Sequence, residues 1–359
     1  MDVADALHVA AADTRPAVQA IPKRSFVRGL SLYAVYFSLY LVTLAGALAP
    51  FPLALNLAFA IANGVFIAMV FIIGHDCCHG ALVPSPRWNR WLGRVAFLPV
   101  LHSTSLWQLA HNRRHHGRTN LKGFDPVWAP MSVREYRAAT PARRWLERLY
   151  RGGFGPLLYY HLEIWIPMLL LPLTRTARAE WRRHVVDSAF VLLGGTALVI
   201  AILMSGHALT PWRSLSTVAL MGWAAPFAVW SYLAAVTTYL NHTHPDIPWF
   251  DTEDAWRTHD GNIRGTAHVR MPIDLLPLYS DVMAHTIHHV DPSVPVYALP
   301  QGQAQLEAKL GDRVTSYVLS VDEYRRALNA CKLFDFDRMC WTDFSGLPTT
   351  LPLIANRAT

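Results

Sequence analysis

Between Arg28 and Asp76 the chain carries no Asp, Glu, Lys or Arg. That window is about twice the roughly 20 residues one helix needs to cross a bilayer. "LAPFP" at 48–52 sits in its middle as a tight turn, so it reads as two antiparallel spans, near 30–49 and 53–74. Two further charge-free windows, Ser188–Trp212 and Ser214–Pro245, flank Arg213 and predict a second pair, near 186–206 and 217–240. Only 16% of the residues are charged, against about 25% in soluble domains. The expected fold class is an all-α integral membrane protein: four transmembrane helices in two hairpins with a cytoplasmic histidine-rich helical cap.

The loops set the orientation. About seventeen Arg or Lys lie between His75 and His184, whereas the two hairpin tips hold only Arg213. Positive charge stays on the cytoplasmic side, which places both termini and the central segment there. The expected organisation is a cytoplasmic segment 1–28, hairpin 29–74, a cytoplasmic or interfacial segment 75–184, hairpin 185–240 and a cap 241–359. The 28 Arg against 4 Lys point to a GC-rich bacterial genome, hence an inner membrane. A basic chain can bind nucleic acid, but in a membrane protein the excess reads as loops facing anionic lipid. "IWIPMLLLPLT" (164–174) is too short to span and reads as interfacial or re-entrant. Pro99 and His102 make 95–112 unfit to face lipid. "QAQLEAKLGD" and "DEYRRALNACKLFDFDRMCWTDF" read as amphipathic helix. Trp88, Trp91, Trp107, Trp128, Trp145 and Trp165 read as an interfacial aromatic belt. Cys77, Cys78, Cys331 and Cys340 form no CxxC pair, so neither a disulfide framework nor a zinc-thiolate site is indicated.

Ten of the 17 histidines fall in four clusters: "HDCCH" (His75, His79), "HNRRHH" (His111, His115, His116), "NHTHP" (His242, His244) and "HTIHH" (His285, His288, His289). On an α-helix, residues three and four apart share a face. The pairs 75/79 and 111/115 and the trio 285/288/289 should each present imidazoles on one stripe. The inferred topology puts all four clusters on one side of the membrane. One zinc takes about four ligands, so eight to ten imidazoles suit two octahedral metals better. An all-imidazole di-iron site is the sharper reading, although imidazole suits Fe, Zn, Cu and Ni alike. Arg113 and Arg114 fall on other faces, where they can meet lipid phosphate, an acidic thioester headgroup or an acidic electron carrier. Asp76 and Asp125 read either as acceptors that orient imidazole N–H groups or as solvated or capping carboxylates. The remaining histidines, including His102 and His184, read as polar or core residues. No Glu occurs in any box, which excludes HExxH protease chemistry.

"GHDCCHGAL", "HNRRHH" and "HTIHH" resemble the three histidine boxes of the membrane fatty acid desaturase family. "HHVDPSVPVYALPQGQAQLEAKLGD" resembles the stretch after the third box in its omega-6, or delta-12, branch. The resemblance runs from about residue 70 to 345. It implies two Fe ions that use O2 and two electrons to remove hydrogen from an acyl lipid or acyl thioester. It carries ligand roles to His75, His79, His111, His115, His116, His285, His288 and His289. A ninth ligand is expected after the fourth span. His244 is favoured over His242, because Pro245 disfavours helical geometry at His244 and frees it. Asn241 can reach the metal through water. With no fused carrier signature in the chain, electrons should come from a separate ferredoxin or cytochrome b5-like donor with its reductase. The boxes are shared with hydroxylases and ketolases acting on alkyl chains or carotenoids, which is the enzymatic alternative. A metal transporter or sensor is the non-enzymatic one.

Overall fold

A computed structural model describes residues 21–354 of the chain. The expected N-terminal segment lies largely outside these residues, as does the end of the cap. The fold is mostly helical, with two two-stranded sheets among the described residues. Four helical stretches are long and apolar enough to cross a membrane: Phe26–Leu48, Leu53–His79, Gly155–Leu209 and Leu215–His242. The chain divides into two compact units, residues 23–109 with 165–234, and residues 110–164 with 235 onward.

In the first unit, α1 (Phe26–Leu48) starts at Ser25, whose hydroxyl accepts the Arg28 N–H at 3.4 Å. The chain reverses over 49–52, and α2 (Leu53–His79) follows Pro52. Buried amides fasten the two helices. Asn56 Nδ2 donates to Gly46 O and Ala49 O, each at 2.9 Å, and Asn63 Nδ2 donates to Tyr40 O at 2.7 Å. Such bonds hold helices together where there is no hydrophobic force between them. Gly46 is needed there, since an added Cβ would lie 2.5 Å from the Phe59 ring. Helix α3 (Pro86–Phe97) then runs to a turn at Leu101, so residues 95–112 form no span. His102 is buried in that turn.

The expected short stretch at 164–174 differs. Helix runs from Gly155 to Leu170, the last eleven residues as a π-helix with Pro167 inside it. Charge counting could not see that the helical register extends back through the polar "YYHLE". Helix α4 (Trp181–Leu209) follows. The last apolar stretch passes through a π turn at Leu220–Ala224 into α5 (Ala225–His242).

In the second unit, α6 (His285–Val290) carries the third box, α7 (Leu299–Leu310) packs against it, and α8 (Val321–Ala330) follows. Strand β1 (Ala267–Arg270) pairs in parallel with β2 (Thr315–Val318). The stretch after α8 corrects the all-helical expectation. "LFD" at 333–335 and "CWT" at 340–342 form an antiparallel pair, β3 and β4. Phe334 and Trp341 bury themselves against Trp249 and Cys331, and Trp341 Nε1 donates to Ile247 O at 3.0 Å. The aromatic belt is only partly on the surface. Trp88, Trp91 and Trp145 are exposed, but Trp107 and Trp128 are buried.

Candidate metal centre

Box one ends α2. His75 and His79 are four residues apart on a regular helix, and their ring centroids are 4.7 Å apart. Gly80, at φ 69°, closes the helix in the left-handed region that glycine adopts freely. Asp76 is buried, but its Oδ1 stands 3.9 Å from His75 Nδ1, beyond a hydrogen bond.

Box two corrects the spacing argument. Residues Gln108–His115 form a π-helix, and the His116 N–H donates to His111 O at 2.9 Å, five residues back. The wider turn aligns residues five apart. His111 Nε2 therefore meets His116 Nε2 at 3.0 Å. His115 is turned to other partners: its Nε2 lies 3.1 Å from His242 Nε2. Box three also divides. His285 and His289 stay together, Nε2 to Nε2 at 3.0 Å, whereas the His288 ring lies 4.6 Å from that of His116.

Within the second unit the imidazoles thus sort into two sets. His111, His116 and His288 form one; His115, His242, His285 and His289 form the other, fully buried. In each set the candidate ligand nitrogens lie within 4.8 Å of one another. His242 Nε2 also lies 3.0 Å from His285 Nε2.

The outer nitrogens show what the inner ones can do. His115 Nδ1 donates to Asp125, 3.0 Å from both oxygens. His242 Nδ1 donates to Gly265 O at 3.1 Å. The Thr119 hydroxyl donates to His115 O at 2.8 Å, so it accepts from His289 Nδ1, also at 2.8 Å. With Nδ1 holding the proton in all three, each Nε2 presents a lone pair. The lone pairs of His115 and His242 face one another at 3.1 Å and repel unless a cation lies between them. Metal–imidazole bonds of about 2 Å put neighbouring octahedral nitrogens at about that separation. The donor set fits a metal. Burial and the surrounding imidazoles push His289 well below the usual histidine range, so it stays neutral, as a ligand must.

The structure places His242, not His244, in this group. Helix α5 keeps its backbone bonding as far as Thr243, whose N–H donates to Tyr239 O at 2.7 Å, so His242 is fixed on the inward face of the last turn. His244 lies past the helix end. Its Nε2 donates to Glu323 at 2.7 Å, its Nδ1 accepts the Asp246 N–H, and its ring stacks on Tyr317 at 4.3 Å. Freedom from the helix turned it toward α8. Asn241 is buried, and its Oδ1 has no hydrogen-bond partner among the described residues. Arg114 donates twice to Phe124 O, at 3.0 and 2.7 Å, and so braces the loop that carries Asp125. Sequence reasoning missed Thr119, Asn120 and the Gly265 carbonyl. Asn120, held at φ 57°, donates to His242 O at 3.3 Å and its N–H to Asp125 at 2.9 Å. A lone Thr-Asn pair and a backbone carbonyl give no motif.

The profile described as "Fatty acid desaturase" matches residues 50–320. An "sn-1 oleoyl-lipid 12-desaturase" from Picosynechococcus sp. is 28% identical over 80% of this chain and 79% of its own. An "Omega-6 fatty acid desaturase, chloroplastic" from Spinacia oleracea is 26% identical over 77% of this chain and 58% of its own. An "sn-1 acyl-lipid omega-3 desaturase (ferredoxin)" from Synechocystis sp. is 26% identical over 71% and 68%. The match thus spans about three-fifths of the chloroplast relative's length.

Proposed function

The chain belongs to the fatty acid desaturase family, and from that membership we propose that it introduces a C=C bond into the acyl chain of a membrane lipid. The relatives named as acting on acyl lipids support that substrate over an acyl thioester. Two irons, when bound, supply the oxidising power to take two hydrogens from an unactivated chain with O2. In the balanced reaction, two C–H hydrogens, two donor electrons and two protons reduce O2 to two waters. The electrons come from a separate carrier, ferredoxin or cytochrome b5-like, served by a reductase. The name of the ferredoxin-dependent relative favours the former.

His115, His242, His285 and His289 hold one iron. Asp125, the Gly265 carbonyl and Thr119 keep the tautomers that aim Nε2 inward. His111, His116 and His288 hold the other. His75 and His79 take ligand roles on the box spacing and the family resemblance. Burial excludes water from the His115, His242, His285 and His289 group, which protects an oxidising centre from side reactions. The surrounding architecture is two hairpins in the bacterial inner membrane with the histidine groups on a cytoplasmic cap. Reporter fusions at Ala49 and Thr210 should then read as periplasmic and at Ala129 as cytoplasmic.

The convergence of buried Nε2 atoms carries this reading. Lipid mass spectrometry of an expressing bacterium tests it. Acyl chains lighter by two hydrogens are expected. Chains heavier by one oxygen would make the protein a hydroxylase, and an unchanged lipid profile with full iron loading would sink the enzymatic reading.

A further inference from the structure

Just beyond the end of α2, helix α3 exposes Trp88 and Trp91, and the Arg94 guanidinium lies 5.5 Å over the Trp91 ring. Exposed tryptophans interleaved with arginines seat a helix where acyl chains meet headgroups. The opposite face of α3 is pressed onto α2. A Cβ added at Gly93 would lie 3.0 Å from Cys77 Cβ. In the same unit is a cavity of about 110 Å³ lined by Arg90, Arg94, Thr104, Gln108, Arg183 and Asp187. Cys77 and Cys78, beside box one, also line it.

The cavity holds three guanidiniums and one carboxylate. Asp187 is already saturated: it accepts from Arg94 at 2.9 Å, from the Thr104 hydroxyl at 3.0 Å and from the Ser105 N–H at 2.9 Å. Arg183 donates to Glu180 and, at 2.5 Å, to Gln108. Arg90 has no partner among the described residues. The surplus is positive. At about 30 Å³ per water, the volume takes about four waters, or one tetrahedral oxyanion with its bridging water. Guanidinium forks match phosphate oxygens two at a time.

We propose that this pocket binds a phosphate group and that, at the membrane interface, the phosphate is that of a glycerophospholipid headgroup. The pocket would then hold the lipid beside the box-one end of α2. That the bound lipid is also the molecule desaturated rests on the acyl-lipid reading above; the binding itself does not.

The test is native mass spectrometry of the purified full chain, titrated with phosphatidylglycerol, with monogalactosyldiacylglycerol and with inorganic phosphate. Each is run on the wild type, on Arg90→Gln and on Arg90→Gln/Arg183→Gln. Loss of charge-assisted bonds should weaken phosphatidylglycerol at least tenfold in the double variant, with Arg90→Gln intermediate and the galactolipid unchanged. Displacement of phosphatidylglycerol by inorganic phosphate in the wild type alone supports the site and makes free phosphate its ligand. Equal retention of phosphatidylglycerol by all three proteins overturns the proposal, as does galactolipid retention as tight as phosphatidylglycerol. Surface ion pairs contribute little to stability, so both variants should keep the wild-type unfolding midpoint and iron content. Because binding is read without turnover, absence of desaturated product leaves this result standing, and loss of the site leaves the desaturase reading standing.

Discussion

Box one and box two both space histidines four residues apart, yet they behave differently. His75 and His79 lie together because α2 is a regular α-helix. The His111 and His115 rings are 5.2 Å apart, but their helix is a π-helix, so their Nε2 atoms take different partners, His116 for His111 and His242 for His115. A spacing rule is thus a statement about one helix type. Where the turn widens, the same interval divides a motif between two groups of imidazoles, and a six-residue box can supply both from one short element.

The sharpest way to break this comparison is to remove ligands one at a time. His115→Ala should share its metal phenotype with His242→Ala, His285→Ala and His289→Ala. His111→Ala should instead share that of His116→Ala and His288→Ala. Each substitution should abolish desaturation and leave about one iron per chain, and the two classes should differ in the Mössbauer spectrum of the iron that remains. If His111→Ala and His115→Ala leave the same iron, the α-helical pairing is right and the π-helical one is wrong.

The end of α5 gives the next largest contrast. His242→Ala should lose activity and one iron. His244→Ala should keep both irons, since its nitrogens serve Glu323 and Asp246. Its cost should appear in stability, at about 1–3 kcal/mol for a buried charge-assisted bond, read as a lower unfolding midpoint. Retained iron in His242→Ala with loss in His244→Ala would reverse the assignment.

The outer layer should respond more weakly. Asp125→Asn should keep the fold and lower affinity for the second-group iron by about 10- to 100-fold, the usual range for such partners. Chelator titration should resolve this as one early-leaving metal per chain, with the other unaffected. Thr119→Val should do the same and Thr119→Ser should restore it, because the hydroxyl is the group bonded to His289 Nδ1. Simultaneous loss of both metals would show that the two groups are not separately organised.

How much of this was legible follows from which physics each feature used. Bilayer thickness and charge cost act on composition, so the four apolar stretches emerged from charge-free windows. Eight of the nine proposed ligands emerged because the boxes are local. His244 stands apart from the grouped imidazoles because release from a helix is not motion toward them. Glu323, about eighty residues on, competed for that imidazole. The β3–β4 pair was missed because Trp249, far outside the segment, supplies part of the packing that Phe334 and Trp341 bury against. The π-helix has no periodic signature of its own, so nothing local announced that His111 and His116 would be the pair.

The two glycines that close these helices offer the finest test. Gly80 ends α2 at φ 69° with open space around its α-carbon: the nearest atom to an added Cβ, Asn89 Nδ2, is 4.0 Å away. Gly80→Ala should therefore cost only the left-handed backbone penalty, about 1–2 kcal/mol, with box one and its metal content intact. Gly117 follows box two, and an added Cβ there would lie 2.3 Å from Arg113 O. That atom is backbone in the π turn itself, so the turn must shift to make room. Gly117→Ala should cost about 1–3 kcal/mol and, unlike Gly80→Ala, should loosen metal as well. Thermal unfolding of the two variants with and without chelator separates the cases. In Gly80→Ala the chelator-induced drop in midpoint should match wild type; in Gly117→Ala it should be smaller, because less binding energy remains to lose. Equal drops would mean that the π turn yields without disturbing His116, and that its geometry is less tightly bound to the metal groups than the 2.9 Å bond from His116 N–H to His111 O implies.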